Sequence, residues 1–333
     1  MVYLSFDELK ITLKSKLQDY GFTENDSELC STIFVDNNLV GVSSHGTNRF
    51  PAFIDLIRAG FIDVKAKPSL INKFGAWEQW DGNKGPGPLN AWQITDSVIE
   101  LAKSNGIGCI TLRNTNHWMR AGTYGWKAAE ANFILICWTN AYPLMPPWGS
   151  KEPRIGNNPI TLAVPRINGP VVLDIAMSQY SYGKLANFRR ENKELPYYGG
   201  YDSNGNLTKT AADIYETKRP LPIGYWKGSG LALLLDLITT LLSNGNSSLD
   251  LGKGKHDTAM SQVYIAFDPL KSQSIDNINK ITDEIINSIK ISQPAEGFSE
   301  VLYPGERALK LRKKYLSEGI PVNKSIWERI LKL

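Results

Sequence analysis

The run Ser43-Ser44-His45-Gly46-Thr47-Asn48-Arg49 sets one of the chain's three histidines among small residues, with an arginine four positions later. An imidazole with an ordinary pKa of about 6.5 gives or takes a proton near neutral pH, and a guanidinium is a fork for a carboxylate. The pair His45 and Arg49 therefore points to proton transfer on a substrate held by its acid group. A second histidine, His117, sits in Asn116-His117-Trp118-Met119-Arg120, just past the apolar run Gly108 to Asn114. Polar side chains beyond the end of a strand often converge on a ligand, but a histidine beside tryptophan is as often a hydrogen-bonded structural group. His256, in the polar stretch Gly252 to Asp257, reads as a solvated side chain.

Other chemistries find less support. Gly224-Tyr225-Trp226-Lys227-Gly228-Ser229-Gly230 offers glycines before a helix and a cation, which suits a phosphate cradle or, equally, tight helix packing. Neither the G-x-G-x-x-G nor the G-x-x-x-x-G-K-[ST] fingerprint occurs, so a dinucleotide would have to bind in another way. Ser44 beside His45 is not the geometry of a nucleophile and its base, because neighbouring side chains usually diverge, and Ser229 lacks the elbow pattern G-x-S-x-G. No His or Cys pair has metal-ligand spacing. Asp174 closes the apolar run Val171-Val172-Leu173, where a buried carboxylate needs partners. It could orient a histidine or a cofactor hydroxyl, cap the following helix, or pair with a structural arginine.

Positioning these groups requires elements on both sides. Ser5-Phe6-Asp7-Glu8 has the form of a capping box opening a helix to about Tyr20, a second helix is expected over Thr23 to Asn38, and Asn48 could cap a third that stops at Gly60. From Ser69 the pattern alternates. Strands are expected at Ser69 to Phe74, Glu78 to Asp81, Gly108 to Asn114, Phe133 to Asn140, Ile160 to Pro165 and Val171 to Met177, with helices at Leu89 to Asn105 and Tyr124 to Asn132. Tyr201 to Asn206 reads as a surface turn, Leu231 to Leu242 as the most apolar helix, Gln262 to Phe267 as a strand and Ile275 to Ile289 as a helix. Two more helices follow Pro304-Gly305.

At 333 residues with 42% hydrophobic content the chain can bury a large core. Its 37 Lys and Arg against 33 Asp and Glu give a mild, interleaved net charge of +4, so no nucleic-acid partner is expected. Cys30, Cys109 and Cys137 are odd in number and set among apolar residues, as reduced buried thiols would be. The first residues lack a secretion signal's basic start, and Leu231 to Leu242 is too short to span a bilayer. A cytoplasmic protein with no membrane partner is expected.

Taken together, Ser44-His45-Gly46-x-Asn48-Arg49-Phe50-Pro51, Asn116-His117-Trp118-Met119-Arg120, Cys137-Trp138-Thr139-Asn140, Met145-Pro146-Pro147-Trp148-Gly149 and Pro222-x-Gly224-Tyr225-Trp226-Lys227-Gly228-Ser229-Gly230 resemble the type-2 malate/L-lactate dehydrogenase family. The resemblance runs over nearly the whole chain, to about Ser325-Ile326-Trp327. The Ser-His-Gly run marks the family, while His-Trp-Met-Arg and Met-Pro-Pro-Trp-Gly are similar to its branch for 2-keto sugar acids. What it implies is an α/β (mixed α+β), non-Rossmann fold: a helical portion, residues 1–68 with 295–333, carrying the His45 loop, and an α/β NAD-binding body, residues 69–294. It also implies an NAD(P)-dependent oxidoreductase, NADH being the expected donor with NADP possible, acting as a homodimer on a small 2-keto sugar acid.

Position by position, the resemblance makes His45 the proton donor. It places cofactor contacts at Pro170, Val171, Val172, Leu173, Asp174, Ile175 and Ala176, at Trp226 and Lys227, and at Gly305, Glu306 and Arg307. On chemical grounds, Arg49 is expected to hold the substrate carboxylate and His117 to hydrogen-bond sugar hydroxyls or a second carbonyl. Malate, lactate, ureidoglycolate or cyclic imino acid substrates are the near alternatives, and a non-catalytic sugar-acid-binding protein the distant one.

Overall fold

In a computed structural model, which describes residues 1–254 and 257–333, the chain opens with β1 (Val2–Leu4), α1 (Phe6–Asp19), α2 (Glu24–Leu39), a 3-10 turn at Ser43–His45 and α3 (Phe50–Arg58). There follow β2 (Ser69–Phe74), β3 (Trp77–Asp81), α4 (Gly87–Asn105), β4 (Ile107–Thr115), α5 (Gly122–Glu130), β5 (Ile134–Thr139), β6 (Ile160–Val164) and β7 (Val171–Ile175). Next come α6 (Tyr182–Arg190), β8 (Gly200–Tyr201), β9 (Leu207–Thr208), α7 (Ala211–Thr217), α8 (Trp226–Ser243) and α9 (Ser248–Leu251). The chain ends with β10 (Met260–Phe267), α10 (Ile275–Lys290), α11 (Glu306–Glu318), β11 (Ile320–Val322) and α12 (Lys324–Leu331). His256 lies outside the described residues.

The main sheet has seven strands in the order β2-β3-β4-β10-β5-β6-β7. Only β3 and β4 run parallel; every other neighbouring pair is antiparallel. Side chains alternate across a strand, so one strand feeds two cores. Tyr264, Ala266, Leu135 and Cys137 pack with α4 and α5, while Val263, Ile265, Ile136 and Trp138 pack with Ala232 and Leu235 of α8. Helices on both faces of a mixed sheet make the fold α/β with α+β character, as expected.

A separate core joins the two chain ends. β1 pairs antiparallel with β11, Val2 against Val322, and Leu9, Leu13, Leu17, Phe34 and Phe53 pack with Ile320, Val322 and Ile330. Leu89 and Met119, from the sheet side, enter the same core. This seam between the two cores holds the His45 turn.

Several local expectations change. The first cap works through Ser5 alone, whose Oγ accepts the Glu8 N–H at 3.1 Å. Asn48 does not cap α3: Arg49 takes the cap position, the Phe50 N–H is satisfied by the Gly46 carbonyl, and Pro51 has no N–H to satisfy. Residues 178–220 hold a small lobe, α6, α7 and the β8–β9 hairpin, around Tyr180, Leu185, Leu195, Ala211 and Ile214. Helix α8 begins at Trp226, so Gly228 and Gly230 lie inside it rather than before it. A Cβ on Gly228 would stand 2.2 Å from the Ile223 carbonyl oxygen, which is the packing role.

Candidate active site

His45 ends its 3-10 turn because the last turn of α2 carries two buried asparagines. The Asn37 side-chain amide donates to the His45 carbonyl at 2.9 Å while its oxygen accepts the Thr123 hydroxyl at 2.9 Å. Asn38 accepts the Thr47 N–H at 2.8 Å and donates to the Thr47 hydroxyl at 3.0 Å. Between them Gly46 leaves no room: a Cβ there would lie 1.9 Å from Asn38 Oδ1. Short polar side chains favour the backbone groups at helix ends, so this clamp follows from Asp36-Asn37-Asn38 terminating α2.

Ser44 Oγ lies 3.3 Å from His45 Nδ1, so the adjacent side chains do converge, contrary to the expectation from their being neighbours. A hydroxyl donated to Nδ1 leaves the ring proton on Nε2, the tautomer that presents an N–H outward. The His45 and His117 rings stack with centroids 5.5 Å apart and 15° between planes. His117 Nδ1 accepts the Met119 N–H at 3.0 Å, which keeps that nitrogen unprotonated. Met119 adopts a positive φ of 67° to make the bond, a strained backbone for a side chain of its size.

Both rings are half-buried and both are held below an ordinary histidine. Burial is the main cause for His45, which falls from 6.5 to about 4; Asp174 pulls upward, and Arg49 and Arg120 pull down. For His117 burial acts first, then Arg49 and His45. Arg49 acts as a nearby positive charge on both rings. Its Nη2 lies 3.6 Å from Asp257 Oδ2, and Asp257 Oδ1 accepts the Tyr142 N–H at 3.2 Å. Nothing in the local sequence pointed to Asp257, because ion pairing between distant segments has no sequence period.

Asp174 answers to its blander expectations, though not on the following helix. Its Oδ2 accepts the N–H of Gly122 at 2.8 Å, at the first turn of α5, and lies 3.7 Å from Nε of the buried Arg120. A Cβ on Gly122 would meet Arg120 Nη2 at 2.6 Å and Asp174 Oδ2 at 2.9 Å, so glycine is what lets the pair close. The carboxylate also favours a proton on His45.

Of the three segments expected to contact a cofactor, one is β7, the edge strand of the sheet, and the other two approach its opposite ends. Val172 N–H donates to the Pro304 carbonyl at 3.1 Å, and a Cβ on Gly305 would stand 3.1 Å from the Val172 nitrogen, so residues 304–307 lie against Pro170 to Val172. Beyond β7, Met177 accepts the Ile223 N–H at 2.9 Å, which leads directly to Trp226 and Lys227 at the start of α8. Val171, Leu173, Ile175 and Ala176 are half-buried, and Trp226, Lys227 and Arg307 are exposed. A strand edge with glycine-mediated close approach, two exposed cations and an exposed indole are groups that suit the phosphates and rings of a dinucleotide. The Glu306 side chain is engaged elsewhere, taking Lys290 at 2.7 Å and Lys310 at 3.1 Å. A cavity of about 370 Å³, lined by Gln179, Tyr197, Tyr198, Lys209 and Tyr225, adjoins the start of α8.

The three thiols are unpaired: Cys30 and Cys137 are buried, and burial pushes Cys109 up to about 11. Among the described residues no group of His, Cys, Asp and Glu could hold a metal ion, and no helix is long and apolar enough to cross a membrane.

Comparison with known proteins follows the same lines. A family model described as malate/L-lactate dehydrogenase matches residues 4–331. The chain is 40% identical over 332 residues to a 2,3-diketo-L-gulonate reductase of Mannheimia succiniciproducens, covering 99% of each chain. It is 41% identical over 329 residues to one from Haemophilus influenzae, covering 98% of each. Among solved structures, a sulfolactate dehydrogenase of Methanocaldococcus jannaschii aligns with a TM-score of 0.88 at 29% identity, over 99% of this chain and 95% of that one. A malate dehydrogenase of Entamoeba histolytica aligns with a TM-score of 0.94 at 23% identity, over 99% and 96%, and shares the fold.

Proposed function

The chain belongs to the malate/L-lactate dehydrogenase family, and from that premise we propose that it reduces 2,3-diketo-L-gulonate to 3-dehydro-L-gulonate. As a member it is an oxidoreductase acting on CH–OH groups with a nicotinamide cofactor. The observation that carries the reading is the stacked His45 and His117 pair with Arg49 beside it, an acid and a carboxylate fork at one place.

When bound, the nicotinamide supplies the hydride that ends on the ketone carbon next to the carboxylate. Pro170 to Ala176, Trp226, Lys227 and Gly305 to Arg307 are the residues proposed to hold it, with Glu306 contributing through its backbone. His45 delivers its proton to the carbonyl oxygen as negative charge develops there, with Ser44 on Nδ1 fixing the ring so that Nε2 faces the substrate. Arg49 takes the substrate carboxylate. That added negative charge, together with Asp174, favours the imidazolium that the unliganded site disfavours. His117, its Nδ1 occupied by Met119, offers Nε2–H to a hydroxyl or to the second carbonyl.

The proposal includes NADH as donor and a homodimer. Leu231, Leu234, Ile238 and Leu241 form an exposed stripe along α8, the kind of apolar face that a second copy covers. Following nicotinamide absorbance with purified protein, NADH or NADPH, and 2,3-diketo-L-gulonate, oxaloacetate and pyruvate tests the reading. His45→Ala should lose about 10²-fold or more in turnover with cofactor binding little changed. Equal turnover in the variant would remove His45 from the chemistry.

A further inference from the structure

The two arginines that act on His45 each face a carboxylate: Arg120 with Asp174 at 3.7 Å and Arg49 with Asp257 at 3.6 Å. The second pair is the open one. The difference lies in the arginines: Arg49 keeps 35% of its side-chain surface accessible against 9% for Arg120, while Asp257 and Asp174 are equally exposed at 23%. Asp257 is fixed through its other oxygen, which accepts the Tyr142 N–H at 3.2 Å, so the carboxylate is aimed at Arg49 by two separate segments of chain.

Such a site is poorly matched to a dicarboxylate. One substrate carboxylate can share the guanidinium, which has more N–H donors than a single acid group uses. A second carboxylate placed there would face Asp257 at like charge. Hydroxyl groups suit the place better, because an ionised carboxylate is an acceptor only and retains lone pairs after binding one N–H and facing one guanidinium.

We propose that Asp257 is a specificity residue of this site, selecting 2-keto monoacids that carry hydroxyl groups and rejecting dicarboxylates. The inference rests on the reading of the chain as a 2-keto acid reductase. Discrimination is worth most when a site's polar group is left unpaired by the wrong substrate, and a repelling charge adds to it.

The test compares kcat/KM for 2,3-diketo-L-gulonate and for oxaloacetate, each relative to pyruvate, in the native protein and in Asp257→Asn. Asparagine keeps the shape and the oxygen that accepts from Tyr142. Ratios taken on one preparation are insensitive to the fraction of folded protein. The expected result is a shift of about tenfold or more in the diketogulonate-to-oxaloacetate ratio toward oxaloacetate. If the native protein reduces diketogulonate but the ratio in Asp257→Asn stays within about twofold, the role of Asp257 is overturned and the reductase reading stands. If the native protein reduces none of the three with either cofactor, both fall.

Discussion

His45 should be neutral in the free protein until well into the acid range. Burial first, then Arg49 and Arg120, outweigh Asp174 and bring the group from 6.5 to about 4. That difference corresponds to about 3 kcal/mol against the charged ring, and at pH 7 leaves on the order of one molecule in a thousand protonated. Because the folded state binds the proton less tightly than the unfolded chain, the stability contribution of His45 is fully present above pH 6.5. It is lost as pH falls from 6.5 toward 4, and His117 acts in the same direction. The chain has only three histidines, so an NMR titration of their ring protons, assigned with His117→Gln and His256→Gln, reads the site directly. His45 should show a midpoint near 4, and Arg49→Gln should move it upward. Kinetics add a second signature. The kcat/KM for reduction should fall about tenfold per pH unit through neutrality, while kcat at saturating substrate should hold to higher pH, because the bound carboxylate offsets Arg49. A free-protein midpoint of 6 or above, or superimposable pH profiles for kcat and kcat/KM, would refute this account.

Three further outcomes follow from particular contacts. Gly46→Ala forces a Cβ onto Asn38 and should cost about 1–3 kcal/mol in urea unfolding, with turnover falling as the His45 turn shifts; a cost below about 0.5 kcal/mol would mean that the clamp yields freely. Asp174→Asn should lower the His45 titration midpoint further and weaken folding by leaving buried Arg120 with only the field of Asp36 to offset its charge, so an unchanged NMR titration of His45 would detach Asp174 from the site. Leu234→Glu with Leu241→Glu should convert a dimer to monomer in sedimentation velocity, and a native chain that sediments as a monomer would end the dimer proposal.

Elements that carry their own periodicity were legible. The runs from Ser69 to Phe74, Ile160 to Val164 and Val171 to Ile175 are strands close to their expected bounds, and the Asn168-Gly169-Pro170 turn joins the last two as an antiparallel pair. What escaped lacks such a signal. β1 and β11 are three residues each and pair the first residues with the last, so neither end predicts its partner. The lobe at 178–220 is built from helices of nine and seven residues and two-residue strands, too short to show a period. The apolar run of α8 revealed a helix but not its surroundings: Leu235 is buried while Leu234 and Leu241 are 55% and 76% exposed.

The same distinction separates the parts of the site. His45 was legible because a titratable ring is scarce and its chemistry is fixed by its type. Asp174 illustrates the opposite case, since its residue type allowed a cap, an ion pair with arginine or the orienting of a histidine or a cofactor hydroxyl, and the structure has it accept the Gly122 N–H, face Arg120 and raise the proton affinity of His45. Its roles depend on α5 starting beside β7, which is a property of the sheet order rather than of any local run. Asn37, Asn38 and Asp257 depend likewise on which segments meet. Asn37 and Asn38 set how the His45 turn is held, and Asp257 sets what faces Arg49, so the surroundings of the histidine are built mostly by residues whose types alone are unremarkable.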